Sequence, residues 1–292
     1  MKSCNFKYHD PNSVFDVVSL LNSCENAKLL AGGQSLVPML NFRVLSPDHI
    51  IDLNQVEKLF GIDQSESQLI IGSMTRQRTL LNSPVVQEHT PLVSKALNFI
   101  GHDQTRNRGT IGGSLCHLDP AAELSVVASA YEAQLSVTGQ DGDRIIPMSD
   151  WAVDFLTPAI SDNEILTNIQ IKPWPEPHGF SFLEYARREG DFAIVAVAVL
   201  LAITTNVIGK ASIVLGGVDA GPLRLSEVEK LITGQSPGPE LFKQAGELAK
   251  KIDAMSDVHF SKDYRKRLSG ALTERALHDA VKQFKGVNER NE

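Results

Sequence analysis

Two short glycine-rich segments carry the residue types best placed to do chemistry. The first is Leu30-Ala31-Gly32-Gly33-Gln34-Ser35-Leu36 and the second Thr110-Ile111-Gly112-Gly113-Ser114. Paired glycines let successive backbone N–H groups converge on a large anion with no Cβ in the way. The neighbouring hydroxyl of Ser35 can add a further donor, and Thr110 and Ser114 repeat that chemistry. Neither segment is a P-loop, because no Gly-Lys-Ser/Thr follows, and neither has the G-x-G-x-x-G dinucleotide spacing. On spacing alone, the two segments either meet at one pyrophosphate or are two independent tight turns.

Around the second segment stand several reactive side chains, each with a plainer reading. His102 and His117 could move protons or attach a bound group covalently, or could be ordinary solvated residues. Cys116 is read as a small buried thiol. Arg106 and Arg108 either neutralise phosphate or anchor the turn to nearby carbonyls. Asp119 either holds a ribose hydroxyl or caps a helix opening at Pro120. Cys4, Cys24 and Cys116 form no CxxC pair, so the spacing predicts neither an iron–sulfur cluster nor a structural zinc. A disulfide scaffold is not expected either.

The elements that must position these residues alternate between helix and strand. Asn12 and Ser13 precede Val14, Val17, Val18 and Leu21, a capped amphipathic helix. Lys28–Leu30 reads as a strand entering the first glycine segment, and 50–53 and 69–71 as further strands. Pro91–Ile100 and Pro120–Tyr131 have helical character. Gln134–Thr138 alternates as a strand, Asp141-Gly142 turns the chain, and 164–171 alternates again. Pro173, Pro175, Pro177 and Gly179 mark a domain boundary. Beyond it, Phe192–Ile203 and Lys210–Leu215 are expected to pair as a hairpin across 204–209, followed by helices at 223–233, 239–252 and 261–284.

At 292 residues the chain is long enough for about two domains. Its 42% hydrophobic and 22% charged residues are ordinary for a soluble globular protein. Lys plus Arg number 28 against 35 for Asp plus Glu, a net charge of −7, which argues against nucleic-acid binding. The first residues contain no secretory h-region, and the longest apolar run is shorter than the about 20 residues a membrane helix needs. A cytoplasmic location is expected.

The segments AGGQSLVPMLNFR and RNRGTIGGSLCHLDPAAEL together resemble the medium, FAD-binding subunits of bacterial molybdenum hydroxylases, a group that includes the carbon monoxide, nicotine, quinoline and xanthine dehydrogenases. Tyr185–Ile194 and Asp263–Leu268 are similar to the same subunits, and the likeness runs along the whole chain. It implies an α+β fold: a PCMH-type FAD-binding domain of two α+β subdomains over 1–177, then a C-terminal domain of an antiparallel sheet and helices over 178–292.

By this resemblance one FAD lies between the subdomains. Leu30–Leu36 and Thr110–Ser114 bind the cofactor, and within them Ala31–Ser35 and Thr110–Ser114 hold its pyrophosphate, chiefly through backbone N–H groups. Asp119 and Glu123 stand near the cofactor, Glu123 where relatives often carry Asp, and Leu166, Asp191 and Phe192 stand near the isoalloxazine ring. The implied partners are a large molybdopterin-binding subunit and a small [2Fe-2S] subunit, assembled as a dimer of heterotrimers. The implied role is to take electrons from the clusters and pass them to a terminal acceptor. The rival readings are a self-sufficient flavin oxidase of the PCMH type and a non-redox nucleotide-binding module.

Overall fold

The computed structural model describes residues 2–65, 67–175 and 177–291. Strand β1 (Lys7–His9), helix α1 (Val14–Ser23), strand β2 (Ala27–Leu30), helix α2 (Leu36–Asn41) and strand β3 (His49–Asp52) form the first layer. The three strands are parallel in the order β1-β3-β2. Ser13 caps α1 by accepting a hydrogen bond from Asp16 N at 3.1 Å, and Val17 and Val18 bury against Ile51 and Leu53. The register Leu30↔Asp52 puts the end of β2 beside the end of β3, which delivers Gly32 to the strand ends.

Next come β4 (Ile62–Gln64), β5 (Leu69–Gly72) and six helices: α3 (Gln77–Leu81), α4 (Pro84–His89), α5 (Pro91–Leu97), α6 (Asp103–Arg108), α7 (Ile111–His117) and α8 (Glu123–Ala130). Strands β6 (Gln134–Gly139), β7 (Gly142–Pro147), β8 (Ala152–Asp154), β9 (Thr157–Pro158) and β10 (Ile165–Ile171) follow. An antiparallel five-stranded sheet runs β4-β5-β10-β6-β7, and β8 pairs with β9.

The remainder is a four-stranded antiparallel sheet of β11 (His178–Tyr185), β12 (Val195–Thr204), β13 (Val207–Gly216) and β14 (Leu223–Arg224), with α9 (Ser226–Ile232), α10 (Pro239–Ala249) and α11 (Lys262–Asn291). Both faces of β12 are covered. Val195, Val197, Val199, Leu201 and Ile203 join the core with α9 to α11. Ala196, Ala198 and Leu200 join the core with α5 and α8. This two-sided burial explains the unbroken apolar run, since no position from Ala193 to Ile203 alternates to solvent.

Several sequence expectations are corrected. The second glycine segment is the cap and first turn of α7, not a loop. The helix expected at Pro120 starts at Glu123, because Pro120 and Ala121 form a turn held by Ala121 N donating to Asp119 Oδ1 at 2.8 Å. The β12–β13 hairpin closes through Thr205 and Asn206 alone, both at positive φ (49° and 61°), as a tight primed turn requires. Leu223 and Arg224 pair as a strand before α9 begins.

Candidate functional site

A cavity of about 400 Å³ opens where β2 runs into α2, lined by Leu30, Ala31, Gly32, Gly33, Gln34, Val37, Pro38, Asn41, Asp52, Asn54 and Arg108. Gly33 sits at φ +72°, a left-handed conformation that L side chains rarely adopt. The N–H groups of Gly32, Gly33, Gln34 and Ser35 have no hydrogen-bond acceptor among the described residues. Four consecutive donors on a bent backbone form an anion-binding concavity. Gly32 is needed for a second reason: a Cβ there would lie 2.2 Å from Arg108 O. The first glycine segment is thus pressed onto the chain that leads into α7.

That contact is fastened by side chains. Arg76 donates to Arg108 O at 2.6 Å and to Asn54 Oδ1 at 2.5 Å, while Asn54 Nδ2 donates to Ala31 O at 3.1 Å. Burial, followed by the charge of Arg108, lowers the Arg76 pKa. Asp52 is equally engaged, accepting from Tyr8 Oη at 2.6 Å and from Asn54 N at 2.9 Å. Its acceptor role raises the Tyr8 hydroxyl to about 12.

The second glycine segment is brought to the first, yet it is built differently. Ile111 N donates to Thr75 O at 3.2 Å, Gly112 N to Ser73 O at 2.8 Å, Gly113 N to Thr110 Oγ1 at 3.0 Å and Ser114 N to Thr110 O at 3.2 Å. These backbone donors already have protein acceptors. Gly112 is required for packing, since a Cβ would stand 2.6 Å from Ser73 O. At Gly113 a Cβ would meet Thr110 Oγ1 at 2.8 Å and Ala31 Cβ at 3.4 Å. Gly113 therefore lets α7 lie close against the first segment, and what the second segment can still offer an anion is the Thr110 N–H and the hydroxyl hydrogens of Thr110 and Ser114.

The structure separates pairs that the sequence left tied. Arg106 anchors its own turn, donating to Ile100 O at 2.8 Å and Asp103 Oδ1 at 2.7 Å, whereas Arg108 lines the cavity. Asp119 accepts from a backbone N–H in the turn ahead of α8. Cys116 packs against the core, and burial pushes its thiol up to about 12.

Glu123, Leu166, Asp191 and Phe192 lie outside the cavity lining. Leu166 is a buried core residue of β10, and Phe192 is 76% exposed. The turn carrying Asp191 and Phe192 approaches the α5–α6 connection, where a Cβ on Gly190 would lie 2.6 Å from the His102 ring. Glu123 opens α8 almost fully buried. Burial, then the Asp119 charge, raises its carboxyl to about 7.

Two residues that sequence reasoning did not single out complete this region. Glu184 on β11 faces Glu123; burial and the Glu123 charge raise it to about 8, and its Oε2 is buried with no partner among the described residues. Arg76 lies between two apolar stretches, and no local pattern marks it as the clamp on Arg108.

The chain matches the model of the FAD binding domain in molybdopterin dehydrogenase over residues 4–175, and that of the CO dehydrogenase flavoprotein C-terminal domain over 180–280. It belongs to the FAD-binding subunits of the molybdopterin dehydrogenases. This flavoprotein is 34% identical to the medium subunit of nicotine 6-hydroxylase from Paenarthrobacter nicotinovorans, covering 96% of this chain and 99% of that one. It is 32% identical to the carbon monoxide dehydrogenase medium chain of Hydrogenophaga pseudoflava, covering 94% and 96%. Its fold matches a chain of carbon monoxide dehydrogenase from Hydrogenophaga pseudoflava with a TM-score of 0.94 at 32% identity, over 97% of this chain and 99% of that one. A chain of quinoline 2-oxidoreductase from Pseudomonas putida 86 matches with a TM-score of 0.92 at 32% identity, over 98% and 99%.

The flavoprotein's cofactor is FAD, and the chain is the flavin-carrying subunit of an oxidoreductase. The donor row at Gly32–Ser35, with Arg108 beside it, fits the pyrophosphate of that cofactor. Among the described residues no helix is long and apolar enough to cross a membrane.

Proposed function

We propose that this flavoprotein is the electron-relay subunit of a cytoplasmic molybdenum hydroxylase. In this reading a large molybdopterin-binding subunit hydroxylates the substrate. Electrons cross the [2Fe-2S] clusters of a small subunit, reach this chain and leave to a terminal acceptor. The single observation that carries the reading is the unengaged donor row of Gly32, Gly33, Gln34 and Ser35. Support for the partners comes from relatives named as medium subunits or chains of hydroxylases and dehydrogenases.

FAD, when bound, can exchange electrons singly or in pairs. The polypeptide supplies the rest. Gly32–Ser35 bind the pyrophosphate, Arg108 offsets its charge, and Val37 and Pro38 add apolar lining to the cavity. Thr110 and Ser114 add hydroxyl donors. Glu123, Leu166, Asp191 and Phe192 are assigned to the ring end of the site, between a cofactor domain of 1–177 and a C-terminal domain of 178–292.

The purified chain should hold about one FAD, released into the supernatant by acid precipitation, as expected of a cofactor held by backbone donors. It should oxidise no organic substrate by itself. Flavin retained in the protein pellet would refute the non-covalent site, and substrate oxidation by the lone chain would replace the relay with a self-sufficient oxidase.

A further inference from the structure

In the parallel three-stranded sheet, two strands and a helix end bring together three side chains of metal-ligating type. His9 ends β1, His49 opens β3 and Cys24 caps the C-terminus of α1. The parallel register pairs Lys7 with His49 and His9 with Ile51, so the two histidines stand two residues apart on one face of neighbouring strands. Helix α1 crosses that face and returns its C-terminal end to the start of β3.

His9 Nε2 and His49 Nδ1 lie 2.9 Å apart, with stacked rings 5.2 Å between centroids. One ligand atom from each of the three side chains lies within 4.8 Å of the others, and all three residues are half-buried. We propose that His9, His49 and Cys24 bind one borderline-soft divalent cation, for which Zn²⁺ is the type.

The donor set argues for this class. Two imidazoles and a thiolate with no carboxylate disfavour Ca²⁺ and Mg²⁺, which take oxygen ligands. Around Zn²⁺, nitrogen ligands sit about 2.0–2.1 Å and sulfur about 2.3 Å from the ion. In tetrahedral geometry that spaces the ligand atoms by roughly 3.3–3.7 Å. The imidazoles need open by only about half an ångström, and the sulfur needs to close by about one. The adjacent Asp48 is occupied by Asn26 Nδ2 at 2.9 Å and leaves the fourth position to water.

Binding replaces the thiol proton of Cys24, which is released to solvent, by a sulfur–metal bond. The ring proton shared between His9 Nε2 and His49 Nδ1 moves to the far nitrogen of its own imidazole, so that both facing nitrogens present lone pairs. The ion would tie β1 and α1 to β3, through side chains that do not line the flavin cavity.

The full-length chain, made without a histidine tag and stripped with chelator, should take up one Zn²⁺ at sub-micromolar affinity in competition with a chromophoric chelator. Co²⁺ in its place should give thiolate charge-transfer absorption and the intense visible bands of a four-coordinate ion. Cys24→Ser and His49→Gln should each weaken uptake by about a hundredfold or more while FAD content stays unchanged. Uptake no tighter than tens of micromolar, a six-coordinate Co²⁺ spectrum, or equal binding by the two variants would overturn the proposal.

Discussion

Gly33 does two jobs that one side chain would undo. Its φ of +72° aims the donor row, and a Cβ would lie 3.1 Å from Val37 Cγ2. Each backbone donor to a charged phosphate contributes about 1.5–3 kcal/mol, so losing two weakens FAD roughly a hundredfold to ten-thousandfold. Gly33→Val should therefore fold but purify nearly colourless, with flavin absorbance as the readout; a full flavin complement would show that the anion site lies elsewhere. Gly113→Val should also lower flavin content, through loss of the Thr110 cap and pressure on Ala31.

Glu184 makes a prediction in pH at the same scale. It and Glu123 titrate in the folded chain at about 8 and about 7, above the ordinary 4.5. Between those limits the folded chain keeps protons that the unfolded chain has released. Stability contributed by the protonated acids is complete below about pH 4.5 and is lost as pH rises through 7 to 8. Glu184→Gln should stabilise the apoprotein by about 1–3 kcal/mol at pH 8.5 and by much less at pH 5. Urea unfolding at the two pH values checks it, and an equal effect at both would remove Glu184 from this role.

Among the elements, α11 is joined to the C-terminal sheet by a buried cation. Arg265 donates to Ile194 O at 2.5 Å, to Gly217 O and to Asp257 Oδ2. These bonds bind the start of β12, the end of β13 and the segment before α11 to one side chain. Gly217 N in turn donates to Pro120 O at 2.7 Å, which links this junction to the turn ahead of α8. Arg265→Met keeps the volume but leaves buried acceptors unpaired, at a cost of about 2–4 kcal/mol. Chemical denaturation should register that loss; an unchanged midpoint would mean that water replaces the guanidinium without penalty.

For the whole molecule, the β8–β9 hairpin presents Val153 (67% exposed) and Phe155 (55% exposed) to solvent. Its base is held to α7 by Trp151 Nε1, which donates to Leu115 O at 2.8 Å. An apolar tip beside the second glycine segment suits a permanent interface, commonly above about 2,000 Å², near the flavin. Co-expressed with the two proposed partner subunits, the flavoprotein should purify in a three-subunit complex, doubled to a hexamer. Phe155→Asp should lower its recovery with the iron–sulfur subunit without lowering FAD per chain. Undiminished recovery would move the interface away from the hairpin.

Local chemistry let the sequence determine a good deal. Ser13 before Val17 and Val18 predicts α1, and the paired glycines after a strand mark a backbone bend free of Cβ atoms without deciding between an anion site and a tight turn. The long apolar run predicts β12, although two-sided burial erased the alternation that would have distinguished its faces, and β11 escaped notice altogether. Hydrogen-bond accounting was beyond it. That Gly32–Ser35 keep their donors while Ile111–Ser114 spend theirs depends on Ser73 and Thr75, some forty residues upstream. The Glu123–Glu184 acid pair and the His9–Cys24–His49 cluster are likewise products of strand register and helix docking. Cysteine spacing reads only neighbours along the chain, so it did not register three side chains that strand pairing gathers across it.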